Sequence, residues 1–433
     1  MMGAGPYPLD AAPYNHTPKT LAFDEAARTL GRRAVPVPLA VSFRSRQDLG
    51  DPSNLPIIGA PIEERHANLH GMPRSTCRLC GECDLGCNYG SKNTLDFNYL
   101  SEAARLGAVI RPLCEAKEFA PGPNGGYTTR YFVHEPEKYE GRRRKTNDSS
   151  LCQKVRSKYL ILAAGTMGSA YLMLKNRAAF PGLSAQLGQR YSTNGDMLSF
   201  LVKATRLQDG KRVPRNLSPY FGAVITRGIE INPDQPVGFL LEEWGNPYFV
   251  DWIVELSGVF GFLKRALAFL KLNLAYQLGF SQNANLSAPI SNLLGSCVTT
   301  LSSMPTIAMG QEPPTGTFSL AGSKNLDLAW KESKPFYDRL TAHLKEVAAA
   351  LGGQYQESPA FRFNFHQFMT AHPLGGCPMA LTKEEGVVSP SGEVFGYPGF
   401  YIADGSVMPG PVGVNPSLTI AALSDRFADA LLR

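Results

Sequence analysis

The chain has 433 residues, 43% of them hydrophobic and 18% charged, and a formal net charge of +6. That is ordinary for a soluble globular protein, long enough for two domains or one elaborated fold. With no basic helix and no basic–aromatic interleaving, nucleic acid is excluded as an expected partner, and no run reaches the roughly 18 uncharged apolar residues of a membrane span.

The opening Met1-Met2-Gly3-Ala4-Gly5-Pro6 has neither the basic stretch nor the apolar core of a leader. The eight cysteines are not spread like a secreted disulfide framework, so a reducing cytoplasm is the expected compartment. Residues 1–75, rich in Pro and Gly, read as surface covering, with a short helix over Ala22–Leu30. Cys77, Cys80, Cys83 and Cys87 then follow C-x2-C-x2-C-x3-C, the spacing of a bacterial ferredoxin run. Gly81 and Gly86 permit the tight loop this needs. Three readings stay open. One is an iron–sulfur cluster (4Fe–4S), self-contained or borrowing Cys114, Cys152, Cys297 or Cys377. Another is a four-thiolate zinc site or redox disulfide, and the last is a set of structural thiols.

Leu95–Leu106 reads as a helix and Ala108–Leu113 as a strand. Turn chemistry at Asn124-Gly125-Gly126 leads into an alternating strand over Tyr127–Val133, and a further strand starts near Val155. The basic run Arg142–Lys145 between them reads as a solvated loop. Lys158–Gly165 is continuously apolar, as a buried parallel strand is, and Gly165 with Gly168 lets a helix begin close to a ligand. Asn194-Gly195 is a turn. Strands at Phe200–Thr205, Val237–Leu241 and Cys297–Ala308 suit an antiparallel sheet. Lys331–Leu351 is an amphipathic helix with Phe336, Leu340, Leu344, Val347 and Leu351 on one face. The very apolar Phe249–Phe280 is broken by Glu255, Lys264, Arg265 and Lys271. It reads as a packed helical pair, or as a lid that touches an apolar substrate or a membrane surface.

The last stretch carries the chemistry. His372 precedes Pro373 and the Gly375-Gly376 pair; a short strand, Phe400–Ala403, ends in Asp404-Gly405; and Gly413-Val414-Asn415-Pro416 opens a helix. Asn415 fits an N-cap and Pro416 the first helical position, which would aim backbone N–H groups and a positive dipole end at a ligand. His372 and Asn415 suit a proton acceptor and a hydrogen-bond partner for one substrate oxygen.

HPLGGC, YIADGSVMP and GVNPSLTI, in that order, resemble the C-terminal signature of the glucose–methanol–choline (GMC) oxidoreductases, in particular the cholesterol-oxidase-like bacterial branch. KYLILAAGTMGS and LGQRYSTNGD resemble flavin-proximal stretches of the same proteins. The resemblance implies FAD and the oxidation of an apolar, sterol-like alcohol, with His372 as base and Asn415 beside it. It implies cofactor contacts at Gly165, Asn194, Gly195, Asp404, Gly405, Asn415 and Pro416, and a carboxylate near the substrate at Glu242. A strand–GxGxxG–helix should cradle the pyrophosphate, but Gly3-Ala4-Gly5 is only a near miss, with Pro8 in the third glycine's place.

The expected architecture is therefore α/β. An FAD-binding Rossmann-like domain, incomplete at its N-terminus, is built from 95–195 and 366–433. An α+β antiparallel-sheet substrate domain is inserted at 196–365, and 1–94 is a covering segment with the cysteine loop. A partner chain could supply the missing unit. Two other readings remain: an iron–sulfur-assisted dehydrogenase subunit, and a non-catalytic remnant.

Overall fold

The computed structural model describes residues 2–46, 51, 53–135, 152–232, 238–247, 298–322, 325–358 and 369–432, together with Leu270, Lys271, Leu274 and Leu278. The basic run at 142–145 and nearly all of 249–280 lie outside the described residues.

Helix α1 (Pro18–Thr29) has Pro18 at its start, where a missing N–H costs nothing. It buries Ala22, Phe23, Ala26 and Ala27 along one face. Strand β1 (Arg33–Pro36) follows, then helix α2 (Tyr99–Arg105). A meander of β2 (Cys114–Pro121), β3 (Tyr127–Val133) and β4 (Cys152–Ser157) precedes β5 (Leu160–Leu162) and helix α3 (Gly165–Lys175). Next come β6 (Met197–Val202), the hairpin β7 (Thr205–Gln208) and β8 (Lys211–Pro214), β9 (Arg227–Ile231) and β10 (Phe239–Glu243). Strand β11 (Met304–Gly310), the hairpin β12 (Thr317–Ala321) and β13 (Asn325–Ala329), helix α4 (Lys334–Ala350) and β14 (Gln354–Glu357) complete the middle. Strand β15 (Phe400–Ile402) and helix α5 (Ser417–Leu431) close the chain.

Six strands form one antiparallel sheet in the order β1-β9-β10-β11-β6-β14. Helices α1 and α4 pack on it, and Phe23, Leu201, Ile229, Leu241, Phe336 and Leu344 share one core. The predicted stripe on α4 is the face that is buried. A second core surrounds β5 and β15, which pair in parallel with Phe400 opposite Leu160 and Ile402 opposite Leu162. Two apolar runs some 240 positions apart thus lie side by side, as their composition suggested.

Several expectations need correction. Residues 1–94 are not a covering layer, because α1 lies in the main core and β1 pairs with β9 at the sheet edge. The substrate sheet therefore does not begin at 196. Tyr7, Tyr14 and Phe43 add an edge-to-face aromatic cluster, with ring centroids 5.3 to 5.8 Å apart. Burial of these few large rings outweighs the Pro- and Gly-rich composition that suggested a surface. The strand expected at 108–113 is absent, and β2 begins at Cys114 instead, leaving Val109 and Leu113 exposed. The helix before it is shorter than expected because the Asn98 side chain accepts a hydrogen bond from the Tyr99 N–H and starts it there. Around Cys297–Ala308 the expected strand is divided between a helical turn, Val298–Leu301, and β11.

Candidate active site

The site is indexed from one turn, residues 192–196, where the chain enters the main sheet at β6. Ser192 pairs through its backbone with Leu374 in both directions. Asn194 Oδ1 accepts from the N–H groups of Val412 and Gly413, at 2.8 Å each, and its amide donates to the Val414 carbonyl at 2.9 Å. Asp196, two positions on, holds 370–372. Its Oδ2 accepts from the Ala371 N–H at 2.8 Å and the His372 N–H at 3.2 Å, and its Oδ1 lies 2.8 Å from His372 Nδ1. One turn therefore places both the His372 segment and the segment that carries Asn415. Glycine is required inside it, because Gly195 has φ +68° and a Cβ there would lie 2.5 Å from the Gly310 carbonyl oxygen.

The turn itself rests on a buried carboxylate. Glu312 accepts from the Ser192 and Thr193 hydroxyls and from the Thr193 N–H, while Tyr337 O–H donates to its other oxygen at 3.0 Å. Neither Glu312 nor Asp196 stands out in the sequence. Asp196 follows an Asn-Gly pair and passes for turn chemistry; its role needs His372, 176 positions away, to be in view.

Asn415 is not a helix cap. Helix α5 starts at Ser417 with Pro416 before it and no side-chain cap. The Asn415 amide instead donates to Glu242 Oε1 at 2.7 Å. The bond to a buried carboxyl group replaces the capping bond, since a buried polar group without a partner is costlier than a helix end that opens onto a cavity. Glu242 has no exposed surface, and its Oε2 is buried with no hydrogen-bond partner among the described residues. Burial, with the like charges of Glu243 and Asp196 adding to it and the Asn415 bond opposing it, pushes its carboxyl up to about 8. At neutral pH it is a protonated acid.

Glu242 and Asn415 line a cavity of about 930 Å³. Its walls are mostly apolar, with Val35, Val37, Leu39, Ala223, Leu240 and Leu418 among them, and the uncapped first residues of α5 open onto it. His372 is only partly buried and does not line this cavity.

At the other end of the site, Asp404 joins β15 to α3. Its Oδ2 accepts from the Gly165 N–H at 3.0 Å and from the Ser169 hydroxyl, and its Oδ1 from the Ser406 N–H at 2.8 Å. Its carboxylate is thus engaged within the protein. Gly165 has φ +75° and nothing within 4 Å of where its Cβ would be, while Gly405 is pressed against Thr166 Oγ1. Gly375 packs harder still, since a Cβ there would lie 2.0 Å from the Arg190 carbonyl oxygen.

Cys77, Cys80, Cys83 and Cys87 all line one small cavity, and all four are free thiols. Burial pushes Cys77 up to about 12 and raises Cys80 and Cys83 as well. Burial works against Cys87 too, but hydrogen bonds from the Tyr89 and Lys92 backbone and the Ser91 side chain outweigh it and hold that thiol below its usual range. Cys83 also lines the large cavity. Among the described residues, no three His, Cys, Asp or Glu side chains are gathered to hold a single metal ion.

Known proteins resemble this chain in sequence and in fold. A family model described as GMC oxidoreductase matches residues 321–424. A cholesterol oxidase of Mycobacterium tuberculosis (strain CDC 1551 / Oshkosh) is 27% identical over 91% of this chain. The chain is similar to the GMC oxidoreductases, and in particular to their cholesterol-oxidase-like branch. It spans 64% of the length of that Mycobacterium enzyme. A cholesterol oxidase of Acinetobacter baumannii is 24% identical over 85% of the chain, and long-chain-alcohol oxidase FAO4B of Arabidopsis thaliana 24% over 87%. Among solved structures, pyridoxine 4-oxidase from Mesorbium loti shares the fold, with a TM-score of 0.52 at 14% identity, over 95% of this chain and 69% of that one.

Proposed function

We propose that the chain acts in an FAD-dependent oxidoreductase on the CH–OH group of an apolar, sterol-like alcohol, with His372 as base and Asn415 as the hydrogen-bond partner of the substrate oxygen. The observation that carries this reading is the turn at 192–196, which ties the His372 segment to the segment of Asn415, and Asn415 lines an apolar cavity of about 930 Å³. That volume suits a bulky organic ligand.

The residues fit a flavin. Helix α5 presents an uncapped N-terminus to the cavity, so its free N–H groups and dipole favour a group that gains negative charge. Gly165, at the start of α3, leaves open space where a side chain would stand. Gly165, Gly405, Asn415 and Pro416 are the residues proposed to lie against it, with Asn194, Gly195 and Asp404 shaping their surroundings. A bound flavin supplies the two-electron acceptor for the carbinol hydride.

The chain's own residues do the rest. With Nδ1 directed at Asp196, His372 keeps Nε2 for the proton of the substrate hydroxyl. Asn415 gives one amide hydrogen to Glu242 and keeps the second for the substrate oxygen. Glu242, protonated at neutral pH, brings no negative charge against an apolar ring. The apolar walls exclude water and select a substrate of the same character.

An absorbance spectrum tests this reading. Added FAD should bind, and a hydrophobic alcohol should bleach its bands; His372→Ala should bind FAD but bleach about a hundred- to ten-thousand-fold more slowly. A chain that stays colourless with FAD does not bind the cofactor by itself and would support the remnant reading, or a need for further polypeptide.

A 4Fe–4S cluster on Cys77, Cys80, Cys83 and Cys87 is not proposed: the cavity they line measures about 20 Å³, and burial raises Cys77, Cys80 and Cys83 away from the thiolate form a cluster needs.

A further inference from the structure

We infer that Asp196 is a positioning residue whose carboxylate fixes His372 in the Nδ1–H tautomer, leaving Nε2 as the basic nitrogen. This rests on the proposed role of His372 and adds a residue to it.

Asp196 is 1% exposed, and His372 Nδ1 is 2.8 Å from its Oδ1. An ionised carboxylate only accepts hydrogen bonds, so Nδ1 must carry the proton. The second oxygen is equally occupied. Oδ2 takes the Ala371 N–H at 2.8 Å and the His372 N–H at 3.2 Å, with Thr370 Oγ1 at 2.9 Å. Thr370 in turn reaches back to the Thr193 carbonyl at 3.1 Å. The side chain therefore grips both the backbone and the ring of the same histidine, which sets the ring's orientation as well as its tautomer. No Lys or Arg side chain is recorded in a hydrogen bond or ion pair with this carboxylate among the described residues. Its acceptor atoms are directed at the His372 segment alone.

The geometry also says what an amide would do in its place. In Asp196→Asn the two backbone N–H groups still need an acceptor, so the amide oxygen takes the Oδ2 position; the opposite orientation would set the amide N–H groups against those N–H groups and leave buried donors unpaired. The amide NH₂ then faces His372 Nδ1 and donates to it. That forces the Nε2–H tautomer, and Nε2 loses the lone pair it needs to accept a proton. A near-isosteric change at a buried atom would thus switch off the base without removing it.

The test reads the ring directly. The chain has seven histidines. With ¹⁵N-labelled histidine, long-range proton–nitrogen correlation spectra report the tautomer of each, and the signals lost in His372→Gln identify His372. The expected result is Nδ1–H in the wild type and Nε2–H in Asp196→Asn, with FAD affinity unchanged and flavin reduction slowed about a hundred- to ten-thousand-fold. An Nε2–H tautomer in the wild type overturns the inference, and that measurement needs no variant at position 196 to fold. So does an Asp196→Asn variant that keeps Nδ1–H, or that reduces flavin within a few-fold of wild type. If the tautomer switches as expected but no alcohol reduces flavin in the wild type, the positioning stands and the proposed function fails.

Discussion

Two neighbouring glutamates on β10, Glu242 and Glu243, are both fully buried, yet the surroundings on the two sides of the strand treat them differently. Glu243 faces α1. There Lys19, itself with no exposed surface, forms an ion pair with its Oε2 and donates to the Val224 carbonyl at 3.1 Å. The other oxygen accepts from the Thr226 N–H at 2.8 Å and the Thr226 hydroxyl. Both of its oxygens have partners. Glu242 faces the large cavity with one bond, to Asn415, and a bare oxygen. A side chain that only had to hold the fold would not need an unsatisfied atom there, because each such atom costs about 1–3 kcal/mol. The pair shows how one strand serves both structure and site, through alternation of side chains across a sheet.

The largest effect should come from breaking the satisfied side. Glu243→Gln leaves Lys19 charged and buried without its counter-ion, and denaturant unfolding should show a loss of about 3–5 kcal/mol. The double variant Lys19→Met with Glu243→Leu should regain most of it; equal losses in single and double variants would mean the pair is not what holds that side.

Glu242→Gln should behave in the opposite way. The amide oxygen keeps the Asn415 bond, and the titration disappears. The wild-type carboxyl titrates at about 8 when folded against an ordinary 4.5. Its stabilising preference for the protonated form is fully present below 4.5 and is lost as pH rises through 8, at roughly 1.4 kcal/mol per pH unit between the two values. Stability measured from pH 4 to 9 should therefore fall in the wild type relative to the variant, by up to about 3 kcal/mol near neutrality. Parallel curves would sink the assignment of Glu242 as a neutral acid.

The smallest change is Thr226→Val. It removes one hydroxyl from Glu243 while keeping the backbone donor and Lys19, so the loss should be about 1.5 kcal/mol, with no change in flavin reduction. A loss as large as that of Glu243→Gln would mean that the hydroxyl, and not the ion pair, satisfies this carboxylate.

Much of the fold was legible where the pattern is local. The stripe on α4, the strand at Tyr127–Val133 and the apolar runs at 158–165 and 400–403 each mark a single element, and these elements formed within a few residues of expectation, although the strand expected to be buried at 158–165 leaves Tyr159 and Ile161 exposed. The amino-terminal segment was not legible. Its burial depends on where Tyr7, Tyr14 and Phe23 find partners, and on β1 meeting β9 nearly two hundred positions later. The local sequence suits Asn415 to a cap, but Glu242, 173 positions away, draws its amide elsewhere.

By itself, the sequence determined the family resemblance, through three ordered motifs that include His372 and Asn415, and the elements with strong hydrophobic periodicity. Only the tertiary structure decided which carboxylates matter. Asp196, Glu242, Glu243 and Glu312 look alike as letters. Each acquires its role from what surrounds it after burial: a histidine ring, an open cavity, a lysine or three hydroxyls. A buried charge is governed by the partners within a few ångströms, and those come from distant parts of the chain.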